Sequence, residues 1–310
     1  TEVEVTVPDG SSTKDIAQIL YDAKLIGTVG DFTSAVDRAN ASTSLRPGTY
    51  QFTGGTSADD IVSQMEQGPQ MDTVTIPEGS TVAQTAKLVA QATDNRITAK
   101  AFRKCANSAS SYQKDYSFVK GAYKNSLEGF LFPKTYSIGK DASADDVVRM
   151  MLDQYQQEIS SLDYSYAKKK GLSKYDVLIL ASVIEKEAAS DNRATVSSVF
   201  YNRLDKNMPL QSDATVAYVV GHDPSASDLT ISSPYNTYLN TRLPAGPICS
   251  PSIESLQAAC QPENTDYLYF YFAKDSNGDI QYYFSETYKQ HQQAIKEAQA
   301  AASSSSSESN

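Results

Sequence analysis

Val5-Thr-Val-Pro-Asp-Gly-Ser-Ser12 returns at Val74-Thr-Ile-Pro-Glu-Gly-Ser-Thr81, and the reading of this repeated stretch decides the fold. In each copy the β-branched residues before proline read as a strand and the Pro-acid-Gly trio as a turn. The hydroxyl residue that follows reads as a helix N-cap. After the first copy Ile16, Ile19 and Leu20 recur at helical spacing, with Ser12 and Asp15 placed as a capping box. After the second, Val82, Ala86, Val89 and Ala90 recur likewise. Between them the pattern predicts a short helix around Phe32 to Ala41, a turn at Arg46-Pro-Gly48, a strand Thr49 to Thr53 and a helix from Ser57 to Gln67. The result is a small α+β module.

At 310 residues the chain has room for two domains, or one large domain plus a small one, with a sizeable core. A formal net charge of −10 excludes the usual route to nucleic acid, which is a lysine and arginine excess over the phosphates. No apolar stretch approaches the roughly 20 residues of a membrane-spanning helix, so the chain as it stands reads as soluble. It begins within the strand-like Glu2-Val-Glu-Val-Thr-Val-Pro8, which leaves room for an upstream anchor or leader. Cys105, Cys249 and Cys260 make neither a disulfide framework nor a metal spacing. A bridge between Cys249 and Cys260 turns on their Cα separation, which sequence does not give. His222 and His291 are far apart and outside any His-Glu-x-x-His pattern, so no metal site is expected.

From Leu127 a dense aromatic run leads into helices near Ala144 to Leu162 and Lys174 to Ala189, with Ser143/Asp146 and Ser173/Asp176 as capping boxes. A helix Thr195 to Lys206 should bury Val196, Val199, Phe200 and Leu204 and leave Asn202 and Arg203 partly free. Turn formers then predict loops for about fifty residues, rich enough in Pro, Asn and Gly to suggest a structured ligand-lining surface. Tyr267 to Phe272 and Asp279 to Phe284 read as a β-hairpin, followed by a helix from Glu286 to about Ala301. The Ser303 to Ser307 run reads as disordered.

Glu185 stands one residue past the apolar run Val177 to Ile184. In a helix, Leu178, Ala181, Ser182, Ala188 and Ala189 share its face. Small apolar neighbours leave a hollow for a ligand and disfavour the charged form, which suits a general acid. The same spacing also suits the polar turn where a core helix emerges into water. Tyrosines number 20 and tryptophans 0, and loop tyrosines stack on sugar rings, with Tyr235 best placed by its loop. Ser-x-x-Lys recurs in the chain, as at Ser11, Ser111 and Ser137, without the companion motifs of acyl-serine enzymes.

Five ordered blocks carry a resemblance: Leu127-Glu-Gly-Phe-Leu-Phe-Pro-Lys-Thr-Tyr136, Ala181-Ser-Val-Ile-Glu-Lys-Glu187, Ser198-Val-Phe-Tyr-Asn-Arg-Leu204, Leu210-Gln-Ser-Asp-Ala-Thr-Val216, and Tyr235-Asn-Thr-Tyr238 with Leu243-Pro-Ala-Gly-Pro247. Together they resemble the YceG-like (MltG) family of endolytic murein transglycosylases, from about Val5 to Ala298. The resemblance implies a LysM-like βααβ module over residues 1–70, a mixed α/β catalytic domain over 71–298, and a disordered Ser-rich tail over 299–310. It implies cleavage of the β-1,4 bond between N-acetylmuramic acid and N-acetylglucosamine within a strand, leaving a 1,6-anhydromuramyl end, with no cofactor, as a terminator of nascent strand elongation. The family's essential glutamate is the first of the Glu-Lys-Glu pair, so Glu185 is the expected acid and base and Glu187 has no assigned role. One carboxylate suffices when an intramolecular hydroxyl replaces water, although Glu128, Asp213 and Glu187 stay open as second carboxylates.

Gln211 and Asn236 are expected either to hydrogen-bond the sugar or to hold their loops together, Tyr235 is expected at the substrate, and Glu128 and Asp213 are expected either beside them or as structural partners of Arg203. Expected partners are peptidoglycan strands and cell-wall synthases of the penicillin-binding class. The family also implies an N-terminal anchor outside this sequence, with the ectodomain on the extracytoplasmic side of the cell membrane. Two readings compete: a non-catalytic peptidoglycan-binding scaffold, and a two-carboxylate hydrolase that leaves reducing ends.

Overall fold

A computed structural model describes residues 1–189, 191–275 and 277–303. Its elements run β1 (Glu2–Val7), α1 (Thr13–Asp22), α2 (Val29–Ala39), β2 (Gly48–Thr53), α3 (Ala58–Gln67), β3 (Met71–Thr75), α4 (Val82–Ala92), α5 (Ala99–Ala106) and β4 (Thr135–Gly139). There follow α6 (Ala144–Ile159), α7 (Ser165–Lys169), α8 (Lys174–Glu187), α9 (Arg193–Asp205), α10 (Asp213–Val220), α11 (Ile253–Cys260), β5 (Tyr269–Lys274), β6 (Ile280–Ser285) and α12 (Tyr288–Ser303). The mixture of helices and sheets agrees with an α+β class. No helix among the described residues is long and apolar enough to cross a membrane.

The chain forms two compact units. The first comprises Thr1–Ile76, Ala83–Cys105 and Lys134–Met150, so it extends past residue 70 and takes in β3 and β4. Its antiparallel sheet has the order β1-β2-β3-β4. The register sets Val5 opposite Tyr50 and Val74 opposite Tyr136, which puts apolar side chains on one face by the period of two. Helices α1, α2 and α3 bury Ile16, Leu20, Phe32, Val36, Ile61 and Met65 with Tyr50 and Phe52. Local signals start the first two: Ser12 with Asp15 and Thr28 with Asp31 both form reciprocal capping boxes. The strand β4 begins at Thr135, at the end of the aromatic run, and α5 lies in a segment given no element in the reading of the sequence.

The second unit comprises Pro77–Val82, Ala106–Pro133 and Met151–Asn310. Its centre is α8, buried without a break from Val177 to Ile184, as expected of a helix apolar all round. The stretch expected to be loops contains α10 and α11. Asp-Ala-Thr-Val-Ala-Tyr-Val-Val is too β-branched to advertise a helix, and burial of Thr215 and Val216 overrides that weak propensity. Asn202 and Arg203 are not free. Asn202 donates to the carbonyls of Thr265 and Tyr267, and Arg203, only 7% exposed, donates to those of Leu268 and Pro209. The hairpin β5–β6 pairs as predicted, shifted by two residues at its start, and α12 packs on it through His291, stacked on Tyr269. Helix α12 carries residues 299–303 of the expected tail, and residues 304–310 lie outside those described.

Candidate active site

Glu185 is half-buried in the last turn of α8, which ends at Glu187, two residues short of the expected Ala189. Ala188 turns to extended backbone (φ −97°, ψ 151°), so Ala188 and Ala189 leave the face of Glu185. The hollow expected beside Ala181 and Ser182 is filled. Ser182 Oγ accepts from the Ile248 N–H at 3.0 Å, its carbonyl accepts from Cys249 Sγ at 3.3 Å, and the segment Ile248 to Ser252 is buried against it. Small side chains on α8 serve close approach of that segment.

The same segment delivers the donors that hold Glu185. Ser252 is the N-cap of α11, and it gives Glu185 Oε2 both its backbone N–H at 2.9 Å and its hydroxyl at 2.6 Å. Ser255 Oγ adds a third donor at 2.6 Å. The carboxylate therefore sits at the positive end of α11, a favourable place for an anion. All three bonds fall on Oε2, and Oε1 has no hydrogen-bond partner among the described residues. Arg193, the first residue of α9, donates from Nε to Ser255 Oγ at 3.1 Å.

The other wall comes from the second copy of the repeat. Gly79 N–H donates to the Ser250 carbonyl at 2.9 Å and Ser250 N–H returns a bond to the Ser80 carbonyl at 2.8 Å. This bridge sets Gly79 (φ +73°) so close that a β-carbon there would lie 3.0 Å from Lys186 Nζ and 3.7 Å from Glu185 Cγ. Glu78 precedes it. Glu78 is exposed, yet some loss of hydration and the neighbouring charges of Glu185 and Glu254 hold its carboxyl above the usual range, against the pull of Arg193.

The remaining expected site residues separate. Glu187 is held by Ser212 Oγ at 2.5 Å, and burial raises its carboxyl above the usual range. Asp213 accepts from Tyr238 Oη at 2.5 Å. Glu128, 7% exposed, accepts from Val82 N–H at 2.9 Å and Tyr218 Oη at 3.0 Å, and burial pushes it up to about 7. None of the three shares a hydrogen-bond donor with Glu185, and the Arg203 bonds go elsewhere, so the expected pairing of Arg203 with Glu128 or Asp213 is not formed. Gln211 is exposed at φ +54°, with Oε1 taking Arg203 Nη1 at 3.3 Å. Asn236 is fully buried, donating to the carbonyls of Leu229 and Ile231 and accepting from Tyr238 N–H, so it holds its loop together and does not reach a sugar. Tyr235 is half-buried between Tyr218 and Tyr123, at centroid distances of 5.0 Å and 5.8 Å. Burial pushes its hydroxyl up to about 12. All three cysteines are free thiols.

The model of the YceG-like family matches residues 5–297. The chain belongs to that family. It is 36% identical over 311 residues to the endolytic murein transglycosylase of Bacillus subtilis (strain 168), covering 95% of this chain and 84% of that one. Against the endolytic murein transglycosylase of Streptococcus pneumoniae (strain ATCC BAA-255 / R6) the identity is 31%, over 95% of this chain and 58% of the relative. A crystal structure of a YceG-like protein from Listeria monocytogenes superposes with a TM-score of 0.66 at 34% identity, covering 94% of this chain and 98% of that chain.

Four residues of this YceG-like site escaped the reading of the sequence: Glu78, Arg193, Ser252 and Ser255. The repeat had drawn attention to Glu78 as a turn residue only. Ser252, three residues before Ser255 and following a proline, carried the ordinary mark of an N-cap.

Proposed function

We propose that this protein is an endolytic murein transglycosylase, with Glu185 as the single acid and base. The observation that carries the reading is the asymmetry of its carboxyl: Oε2 is held by three donors, while Oε1 takes none among the described residues. With a proton on Oε1, Glu185 would protonate the departing glycosidic oxygen as its bond to the muramyl anomeric carbon breaks. The carboxylate so formed would take the proton of the muramyl 6-hydroxyl as that oxygen bonds to the same carbon. Glu185 ends as it began and no water enters. An internal nucleophile has an effective molarity of order 10⁵ M or more, enough to dispense with a carboxylate that activates water. The engagement of Glu128, Glu187 and Asp213 with other donors supports this economy.

Further parts of the reading concern the whole protein. The order β1-α1-α2-β2, with β1 antiparallel to β2, supports a LysM-like module at the N-terminus that grips or positions glycan. The enzyme would act within nascent strands on the extracytoplasmic side of the cell membrane, beside cell-wall synthases and tethered by an N-terminal anchor. Gln211 and Tyr235, exposed and half-exposed on the loops near α10, are the better candidates for sugar contact.

Mass spectrometry of purified peptidoglycan treated with the protein tests the proposal. Anhydromuramyl ends are expected, and Glu185→Gln, which keeps the shape and removes the transferable proton, should lower their rate by at least about 10³-fold. Reducing ends instead would mean a water and a second carboxylate. Equal rates from the parent and a folded Glu185→Gln protein would sink the assignment of Glu185.

A further inference from the structure

Ser255 Oγ lies between two groups of fixed character. Arginine is a donor only, so the Arg193 Nε–H at 3.1 Å must use a lone pair of Ser255 Oγ. That leaves the single hydroxyl proton of Ser255 for Glu185 Oε2 at 2.6 Å. The same logic fixes Ser252: its oxygen accepts from the Ser255 backbone N–H at 3.2 Å, and its proton goes to Oε2 at 2.6 Å, much nearer than the 3.3 Å to Ser255 Oγ. With the Ser252 N–H at 2.9 Å as well, three protons already point at Oε2. A fourth, on Glu185 itself, has no room there and belongs on Oε1.

We propose that Arg193 is a positioning residue for Glu185, acting through Ser255 to aim the donors at Oε2 and so keep the exchangeable proton on Oε1. The proposal rests on the reading of Glu185 as acid and base. Arg193 does its part from outside the reacting atoms. Were it absent, the Ser255 hydroxyl could turn its proton elsewhere and offer Glu185 a lone pair, and the carboxyl would lose the fixed distinction between its two oxygens. Ser255 and Ser252 are both fully buried, so water does not stand in for the guanidinium. Glu78 and Glu254 also face Arg193.

A double-mutant cycle tests it, with initial rates of anhydromuramyl formation measured on glycan strands of defined length. Ser255→Ala and Arg193→Leu should each lower kcat about tenfold and leave KM within about twofold, the size expected for one hydrogen bond to a charged group. The double variant should be no slower than the slower single, because both remove the same link. Arg193→Lys, which can still donate to Ser255, should recover most of the rate. Multiplying losses in the double variant, or a rise in KM with kcat unchanged for Arg193→Leu, would overturn the proposal and make Arg193 a substrate-binding or purely structural group. Glu185→Gln is run beside these: if it is inactive while the cycle is additive, only the role of Arg193 falls, and if it retains activity, both readings fall. Circular dichroism and melting of every variant keep a folding defect apart from a lost link.

Discussion

The two copies of the Pro-acid-Gly-Ser turn have nearly the same geometry and very different surroundings. In each, the serine hydroxyl donates to the proline carbonyl, at 2.7 Å for Ser11 and 2.6 Å for Ser80, and the glycine takes a left-handed backbone, φ +77° at Gly10 and +73° at Gly79. Gly10 has nothing within 4 Å of where a β-carbon would be. Gly79 is bridged to Ser250 and lies against Lys186 and Glu185. The two helix starts also have partners at different distances along the chain. The first copy caps α1 within four residues, through Ser12 and Asp15. In the second, the Val82 N–H is taken by Glu128, 46 residues away. Local sequence writes the turn, and distant partners decide whether it is a surface bend or the wall of a site.

These two helix starts should respond to pH in opposite senses, and this is the largest effect expected. Asp15 is held below the usual carboxylate range by the side chain and backbone N–H of Ser12, so what it adds to stability is present above its ordinary range and lost as pH falls. Glu128 is pushed by burial from 4.5 up to about 7, so the folded protein binds a proton there more tightly than the unfolded chain does. Its contribution is therefore full below 4.5 and is lost as pH rises to about 7. The window corresponds to at most about 3 kcal/mol. Denaturation midpoints between pH 4.5 and 8 should fall for the parent and fall much less for Glu128→Gln. A parallel fall in both would remove Glu128 from the account.

The acidic residues of the turns come next. Glu78→Gln should lower kcat/KM by about tenfold, because a transition state with positive charge at the anomeric carbon loses a nearby carboxylate, whereas Asp9→Asn should leave turnover unchanged. The proximity can be read without turnover. In Glu185→Gln a like charge disappears, so Glu78, observed by carboxyl ¹³C resonance, should release its proton at a lower pH than in the parent. An unmoved Glu78 titration would separate the two carboxylates and reduce the second copy to scaffolding.

Much of the first unit was legible because its signals are local. The capping box of Ser12 with Asp15 and the alternation in β1 and β2 act within a few residues. The box of Thr28 with Asp31, by contrast, went unread and starts α2 at Val29, ahead of the expected Phe32, and the turn expected at Arg46-Pro-Gly48 falls earlier, at 42–44. The Glu185 position was legible from the apolar run before it and from the family blocks around it. Its partners were not. Ser252 and Ser255 are separated from it by more than sixty residues, and the antiparallel bridge of Ser250 with Ser80 and the bonds of Ile248 and Cys249 to Ser182 bring them in. Asn236 shows where sequence leaves two readings open: a polar side chain in a loop rich in turn formers suits ligand contact or loop bracing, and its amide is consumed by the carbonyls that such a loop leaves unpaired.

Alanine at the two glycines should sharpen the contrast at a smaller scale. Gly10→Ala carries only the cost of a side chain in left-handed backbone, about 1 kcal/mol. Gly79→Ala carries the same cost and must also move the Lys186 ammonium, 3.0 Å from the new carbon. Lys186 is exposed and flexible, so the addition should be modest in stability, roughly another 1 kcal/mol or less. Activity should fall several-fold at Gly79, whose neighbour is Glu185, and stay at parental level at Gly10.

The smallest expected difference lies at the serines. Ser80 is 6% exposed and its hydroxyl bond to the Pro77 carbonyl is shielded, whereas the equivalent bond of Ser11 is exposed. Both variants keep the backbone N–H donor to the same carbonyl, at 3.3 Å in each turn. Loss of a shielded hydroxyl bond should cost about 1 kcal/mol, and loss of the exposed one a few tenths, since water replaces it. Ser80→Ala should therefore speed exchange of the Gly79 amide, which is bonded to Ser250, by roughly fivefold. Ser11→Ala should leave its own turn's exchange near that of the parent. Equal acceleration in the two turns would mean that the bridge to Ser250 does not hold the second copy in place, and the tie between that turn and Glu185 would have to come from Lys186 alone.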